Sequence, residues 1–156
     1  MGVSGSGKTT IGSMLSAQTG IPFFDADDFH PLPNIRKMSQ GIPLNDDDRY
    51  EWLLKLHELA RSSINDKGAI IACSALKEKY RSLLSAGITG QVSWVYLKGS
   101  YDLIRHRMKQ RKGHYMPEAL LQSQFDTLEE PANAFTIDVG LPPEKITGLI
   151  REQFNV

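Results

Sequence analysis

Gly2-Val3-Ser4-Gly5-Ser6-Gly7-Lys8-Thr9 stands at the start of the chain and fits G-x-x-x-x-G-K-[ST] at every fixed position. Glycines at this spacing let the backbone bend so that several N–H groups point at one anion. Ile11, Met14 and Leu15 follow at helical spacing, so the positive end of a helix dipole faces the same anion. Residues of this type in this order hold the phosphates of a nucleotide. Lys8 is expected to reach the β- and γ-phosphates and Thr9 to ligate Mg²⁺, with Thr10 beside them in the nucleotide-binding set. The loop does not name the phosphoryl acceptor, because it serves many chemistries.

Outward from the loop, short apolar runs alternate with helical patterns. Residues 21–24, 68–74, 92–98 and 135–139 read as strands. Trp52, Leu53, Leu56, Leu59 and Ala60 share one face of a long helix whose N-terminal end suits Asp46, Asp47 and Asp48. Further helices are marked by Tyr80, Leu83 and Leu84, by Leu103, Ile104 and Met108, by Leu120, Leu121 and Phe125, and by Ile146, Leu149 and Ile150. The alternation predicts an α/β domain with a mostly parallel sheet flanked by helices, one domain over residues 1–156. A phosphate loop normally follows a buried strand, yet only Met1 precedes this one. The expectation is a sheet whose usual first central strand is missing from the chain as written.

The bulk properties narrow the function classes. Lys plus Arg and Asp plus Glu are 18 each, so the formal net charge is zero, which argues against a nucleic-acid or membrane-surface partner. No run approaches the ~18 apolar residues of a membrane span. The single cysteine, Cys73, sits in an apolar run and reads as a small buried hydrophobe, with nothing to indicate an oxidising compartment. A cytoplasmic protein is expected.

The acceptor side is written around Asp25-Ala26-Asp27-Asp28-Phe29-His30-Pro31, at the end of the first strand-like run. Ligands of open α/β sheets gather at the carboxyl ends of strands. Asp25 and Asp27 are two apart, so on an extended backbone they point the same way. One could hold a hydrated metal while the other takes the acceptor's proton. The other reading is a solvated acidic turn that caps a helix. His30 before Pro31 reads more readily as structural than as catalytic.

These residues, with Asn34-Ile35-Arg36-Lys37-Met38, Gly41-Ile42-Pro43-Leu44-Asn45-Asp46-Asp47-Asp48-Arg49 and Trp52-Leu53, resemble the gluconate kinase family. Ala72-Cys73-Ser74-Ala75-Leu76-Lys77 with Tyr80-Arg81, Tyr96-Leu97-Lys98-Gly99, Arg107-x-x-x-Arg111-Lys112-Gly113-His114-Tyr115-Met116, and Ser123-Gln124-Phe125 extend the resemblance. It implies ATP and Mg²⁺, D-gluconate as acceptor, 6-phosphogluconate as product, and a homodimer. Gluconate needs a cation for its carboxylate and short polar groups for its hydroxyls. Arg49, Ser74, Lys77 and Arg81 are the candidates, together with Asp27 as base. Arg49 could instead pair with the Asp46 to Asp48 run, and Arg81 could lie on a solvated helix face. With no aspartate at the end of the second strand-like run, metal support falls to Thr9, water and Asp25. The resemblance also implies a lid over residues 109–117, with Arg111 offsetting charge on the transferring phosphoryl and Arg107 contacting nucleotide; by spacing alone the basic stretch reads as well as a helix end carrying cations toward the negative end of its dipole. The alternatives are a shikimate kinase-like enzyme of the same fold and a nucleotide-binding module without turnover.

Overall fold

The computed structural model describes residues 1–110 and 118–156. The elements run α1 (Lys8–Thr19), β1 (Phe23–Asp25), α2 (Leu32–Ser39), α3 (Asp46–Ser63), β2 (Ile70–Ala72), α4 (Glu78–Leu84), β3 (Val95–Lys98), α5 (Tyr101–Gln110), α6 (Glu118–Thr127), β4 (Phe135–Asp138) and α7 (Pro143–Phe154). Strands and helices alternate as the sequence pattern predicts. The strands are shorter than their apolar runs, and α2 is an element that the sequence reading did not contain.

The described strands form two parallel pairs. β1 lies beside β2 with Phe23 opposite Ile70, and β3 beside β4 with Val95 opposite Phe135. Met1 lies between β2 and β3. Its amino group donates to the Val95 carbonyl, and its carbonyl accepts from Leu97 N–H at 2.9 Å. Gly2 N–H donates to the Ser74 carbonyl at 3.3 Å. A cavity of about 670 Å³ adjoins Met1, lined by Ile71, Cys73, Val95 and Leu97 among others.

Successive residues of a strand face opposite ways, and the core divides accordingly. Leu97 packs with Ile11, Leu15, Ile104, Val139 and Ile150, whereas Tyr96 packs with Trp52, Leu56, Cys73 and Leu84. Cys73 is 4% exposed and its thiol is pushed up to about 11 by burial, the behaviour of a packing residue rather than a nucleophile. No described helix is long and apolar enough to cross a membrane.

Two helix starts show why the chain folds here. Asn45 accepts from Asp48 N–H at 2.8 Å while the Asp48 carboxylate accepts from Asn45 N–H at 3.0 Å, a reciprocal cap that begins α3. Gly7 takes φ 93° just before α1, a left-handed conformation that a side chain would strain. Within α1, Gly12 presses on β1: a Cβ there would lie 2.3 Å from a ring carbon of Phe23. Gly12→Ala should therefore lose about 1–3 kcal/mol through overpacking, although the same change in an open helix gains up to about 1 kcal/mol. Urea denaturation of Gly12→Ala, Phe23→Leu and the double mutant checks this. The double mutant should lose less than the sum of the single changes.

Candidate active site

The site forms where the strands end. Asp25 is the last residue of β1, and the chain then turns into a 3-10 helix over Ala26–Phe29. The two carboxylates therefore do not share the face of one extended strand. Asp25 Oδ1 accepts from Asp27 N–H at 3.1 Å, capping the turn that carries Asp27 elsewhere. The period-two reading fails because a short acidic side chain bonds its own backbone two residues on. Asp25 caps the turn and also bonds Thr9 of the phosphate loop.

On the loop side, Thr9 Oγ1 donates to Asp25 Oδ2 at 2.7 Å. Lys8 is half-buried rather than turned out to solvent: its ammonium donates to the carbonyls of Gly2 and Val3, each at 3.0 Å. Ser4 N–H donates to Gln124 Oε1 of α6 at 2.6 Å, a contact that the sequence reading did not foresee. Gly2 has no room for a side chain, since a Cβ would lie 2.8 Å from the Leu97 carbonyl oxygen.

On the acceptor side, the Asp27 side chain is 87% exposed. Its carboxyl is pushed above its ordinary value by desolvation against the site wall and then by the Asp25 carboxylate, with Lys8 and Arg49 opposing. At that exposure solvent screens much of the effect. Arg49 donates to the Leu44 carbonyl at 3.3 Å and lies 5.7 Å from the centre of the Tyr80 ring. Its Nε is buried and finds no hydrogen-bond partner among the described residues. Lys77 donates to Asp46 Oδ1 at 2.9 Å, and Lys79 and the Tyr80 hydroxyl also bond that carboxylate. Hydrogen bonds from Lys79, Tyr80 and Lys77 hold Asp46 well below the usual carboxylate range. Asp46 thus takes the lysine, and Arg49 does not pair with it.

Arg81 is not brought into the cleft. It is 3% exposed and donates to Glu78 at 2.6 Å and 3.0 Å and to the carbonyls of Ala75 and Leu76 at 2.9 Å and 3.2 Å. Ser74 gives its carbonyl to Gly2 and is half-buried beside the loop. Arg107 donates to the Val139 carbonyl at 2.6 Å. Arg111, Lys112, Gly113 and His114, and most of the expected lid, lie outside the described residues.

Behind the acidic turn, the Trp52 indole donates to the Ala26 carbonyl at 2.7 Å and its ring stacks on His30, centroids 4.3 Å apart. Asn34 donates to the Asp48 carbonyl at 2.7 Å and lies 3.4 Å from His30 Nδ1. The sequence read Trp52 as core only. Nothing in its spacing marks it as the clamp of the turn.

A fold of parallel strands and flanking helices with this loop at the strand ends defines a P-loop kinase. The shikimate kinase family model matches residues 4–136. The shikimate kinase structure from Aquifex aeolicus vf5 covers 99% of the chain and is covered to 93%, with TM-score 0.57 at 17% identity, a likeness of fold alone. Much nearer in sequence, the thermosensitive gluconokinase of Escherichia coli (strain K12) is 51% identical over 133 residues, spanning 84% of this chain and 70% of that protein. A probable gluconokinase of Xenopus tropicalis is 48% identical over 147 residues, 85% and 77% respectively. The crystal structure of a gluconokinase from Sinorhizobium meliloti 1021 superposes with TM-score 0.87 at 42% identity, covering 99% and 91%. The chain belongs to the gluconokinase family of shikimate-kinase-like P-loop kinases.

The buried histidine sets a pH dependence. Desolvation, then the Arg49 charge, lowers His30 from 6.5 to about 4. Between those values the unfolded chain binds a proton that the folded chain refuses, so stability is complete above about pH 6.5 and falls as the pH drops toward 4. The loss from this group is at most about 3 kcal/mol. Urea unfolding at pH 7, 6, 5 and 4 should show it, and His30→Phe should remove that part of the slope.

Proposed function

We infer that the protein is a gluconokinase, transferring the γ-phosphoryl group of ATP to D-gluconate to give 6-phosphogluconate. The observation that supports the reading is the separation of two carboxylates at the end of β1. Asp25 is tied to Thr9 of the phosphate loop at 2.7 Å, while Asp27, two residues on, faces solvent. The acceptor is named by kinship: gluconokinase relatives are 51% and 48% identical, whereas the shikimate kinase structure is 17% identical.

In this reading, the loop of Gly2, Val3, Ser4, Gly5, Ser6, Gly7, Lys8 and Thr9, with Thr10, holds the phosphates. Lys8 leaves the Gly2 and Val3 carbonyls for the β- and γ-phosphate oxygens. Arg107 extends the nucleotide-binding set. Thr9 and Asp25 offer a hydroxyl and a carboxylate, hard oxygen donors that suit Mg²⁺, which takes few protein ligands and keeps water and phosphate for the rest. With two protein donors, the site would be completed by nucleotide and water. Bound there, Mg²⁺ supplies charge neutralisation on the phosphates.

The 6-hydroxyl of gluconate forms a new bond to the γ-phosphorus as the bond to the β,γ-bridging oxygen breaks and ADP leaves. The hydroxyl proton passes to Asp27. Arg49 meets the gluconate carboxylate, with Ser74 and Lys77 on its hydroxyls. Arg81 supports the loop that carries Ser74 and Lys77, since its donors are engaged with Glu78, Ala75 and Leu76. Arg111 enters through the family resemblance, as the lid cation. One domain over residues 1–156, a homodimer and a cytoplasmic setting complete the proposal.

ADP release in a coupled assay with ATP and Mg²⁺ tests the reading. It should depend on gluconate and not on shikimate; release independent of both would overturn it. Lys8→Ala should lose most turnover while keeping the fold. Asp27→Asn should leave ATP binding nearly unchanged and lower kcat by about 10²-fold or more. Asp25→Asn should instead raise the Mg²⁺ needed for half-maximal rate, read from steady-state assays across Mg²⁺ concentrations.

A further inference from the structure

His30 is buried, with its side chain 3% exposed, yet it borders the Asp27 carboxylate, which is 87% exposed. Its orientation is fixed from two sides. One face stacks on Trp52 with the rings 13° from parallel. At its edge, Asn34 Nδ2 lies 3.4 Å from Nδ1 while also donating to the Asp48 carbonyl at 2.7 Å. A carbonyl only accepts, so the Asn34 nitrogen is an NH₂ group, and the His30 Nδ1 that it faces must be the acceptor. The ring proton then resides on Nε2. That N–H faces Asp27: Nε2 lies 4.0 Å from Asp27 Oδ1. A shift of about 1 Å by the exposed carboxylate brings the pair within hydrogen-bond reach, the tightening expected once an acceptor fills the cleft.

We propose that His30 is a positioning residue for phosphoryl transfer: its Nε2–H, fixed by Asn34 and Trp52, holds one oxygen of Asp27 and aims the other at the acceptor hydroxyl. This rests on Asp27 being the base of the kinase reaction. A buried ring whose tautomer is set by a neighbour is a rigid reference, whereas the Asp27 side chain is 87% exposed. The histidine stays neutral and carries no proton of the reaction.

The test compares substitutions that separate packing from donation. His30→Phe keeps an aromatic ring against Trp52 and removes the donor; His30→Gln places an amide N–H near the position of Nε2. With gluconate saturating, His30→Phe should lower kcat about tenfold or more, with KM for ATP unchanged, and His30→Gln should recover most of the loss. In an Asp27→Asn background, His30→Phe should cost little further, because the two changes break one linkage. Wild-type kcat in His30→Phe, an equal loss in His30→Gln, or the same fold-loss in both backgrounds would overturn the proposal. Failure of the underlying reading shows differently, as wild-type enzyme without gluconate-dependent ADP release, and it would remove the proposal too.

Discussion

Met1 and Gly2 make three backbone hydrogen bonds, to Val95, Leu97 and Ser74, and these set the height of the phosphate loop above the strand ends. Parallel strands all finish at one edge of a sheet, so whatever follows them meets there. Fixing Gly2 between the segments that continue β2 and β3 brings Lys8 and Thr9 to the edge where β1 ends in Asp25. Gly12 seated on Phe23 then prevents α1 from sliding along β1. Loop, first helix and first strand form one block, and the Thr9 hydroxyl and Asp25 carboxylate that bond each other belong to it.

The acceptor side is built differently, from side chains rather than strand ends. Asp46 gathers Lys77, Lys79 and Tyr80, joining the start of α3 to the start of α4. Asp48 takes Lys37 at 2.6 Å and so ties α2 to the same helix start. That pairing and the Asn45 cap hold Asp48 below the ordinary carboxylate value. These are surface interactions, each weak alone. Their effect is to register three helices around Arg49, which bonds the Leu44 carbonyl and lies over the Tyr80 ring. Arg81 braces the far side, where Ala75 adopts φ 44° and gives its carbonyl to the guanidinium.

Much of this was legible before any coordinates. The phosphate loop is fixed by glycine and lysine spacing, which leaves little freedom of interpretation, and the three aspartates opening α3 announced a helix start. The relation between Asp25 and Asp27 was not legible, since it depends on whether the chain stays extended or bends to let Asp25 bond the Asp27 amide. α2 was not legible because its large apolar residues Leu32 and Ile35 stay exposed rather than marking a buried face, while the proline in its first turn is compatible with a helix. Arg81 was placed correctly on its helix, but its destination depends on where the carbonyls of Ala75 and Leu76 point. The clamp of Trp52 and Asn34 on His30 brings together residues 30, 34 and 52, which only the packing of α3 against the acidic turn makes neighbours.

Donors of the phosphate loop are engaged by the chain itself. Lys8 rests on the Gly2 and Val3 carbonyls, and Ser4 N–H on Gln124. An arriving nucleotide therefore exchanges these bonds for new ones instead of adding bonds to bare donors, and a departing one leaves no stranded ammonium.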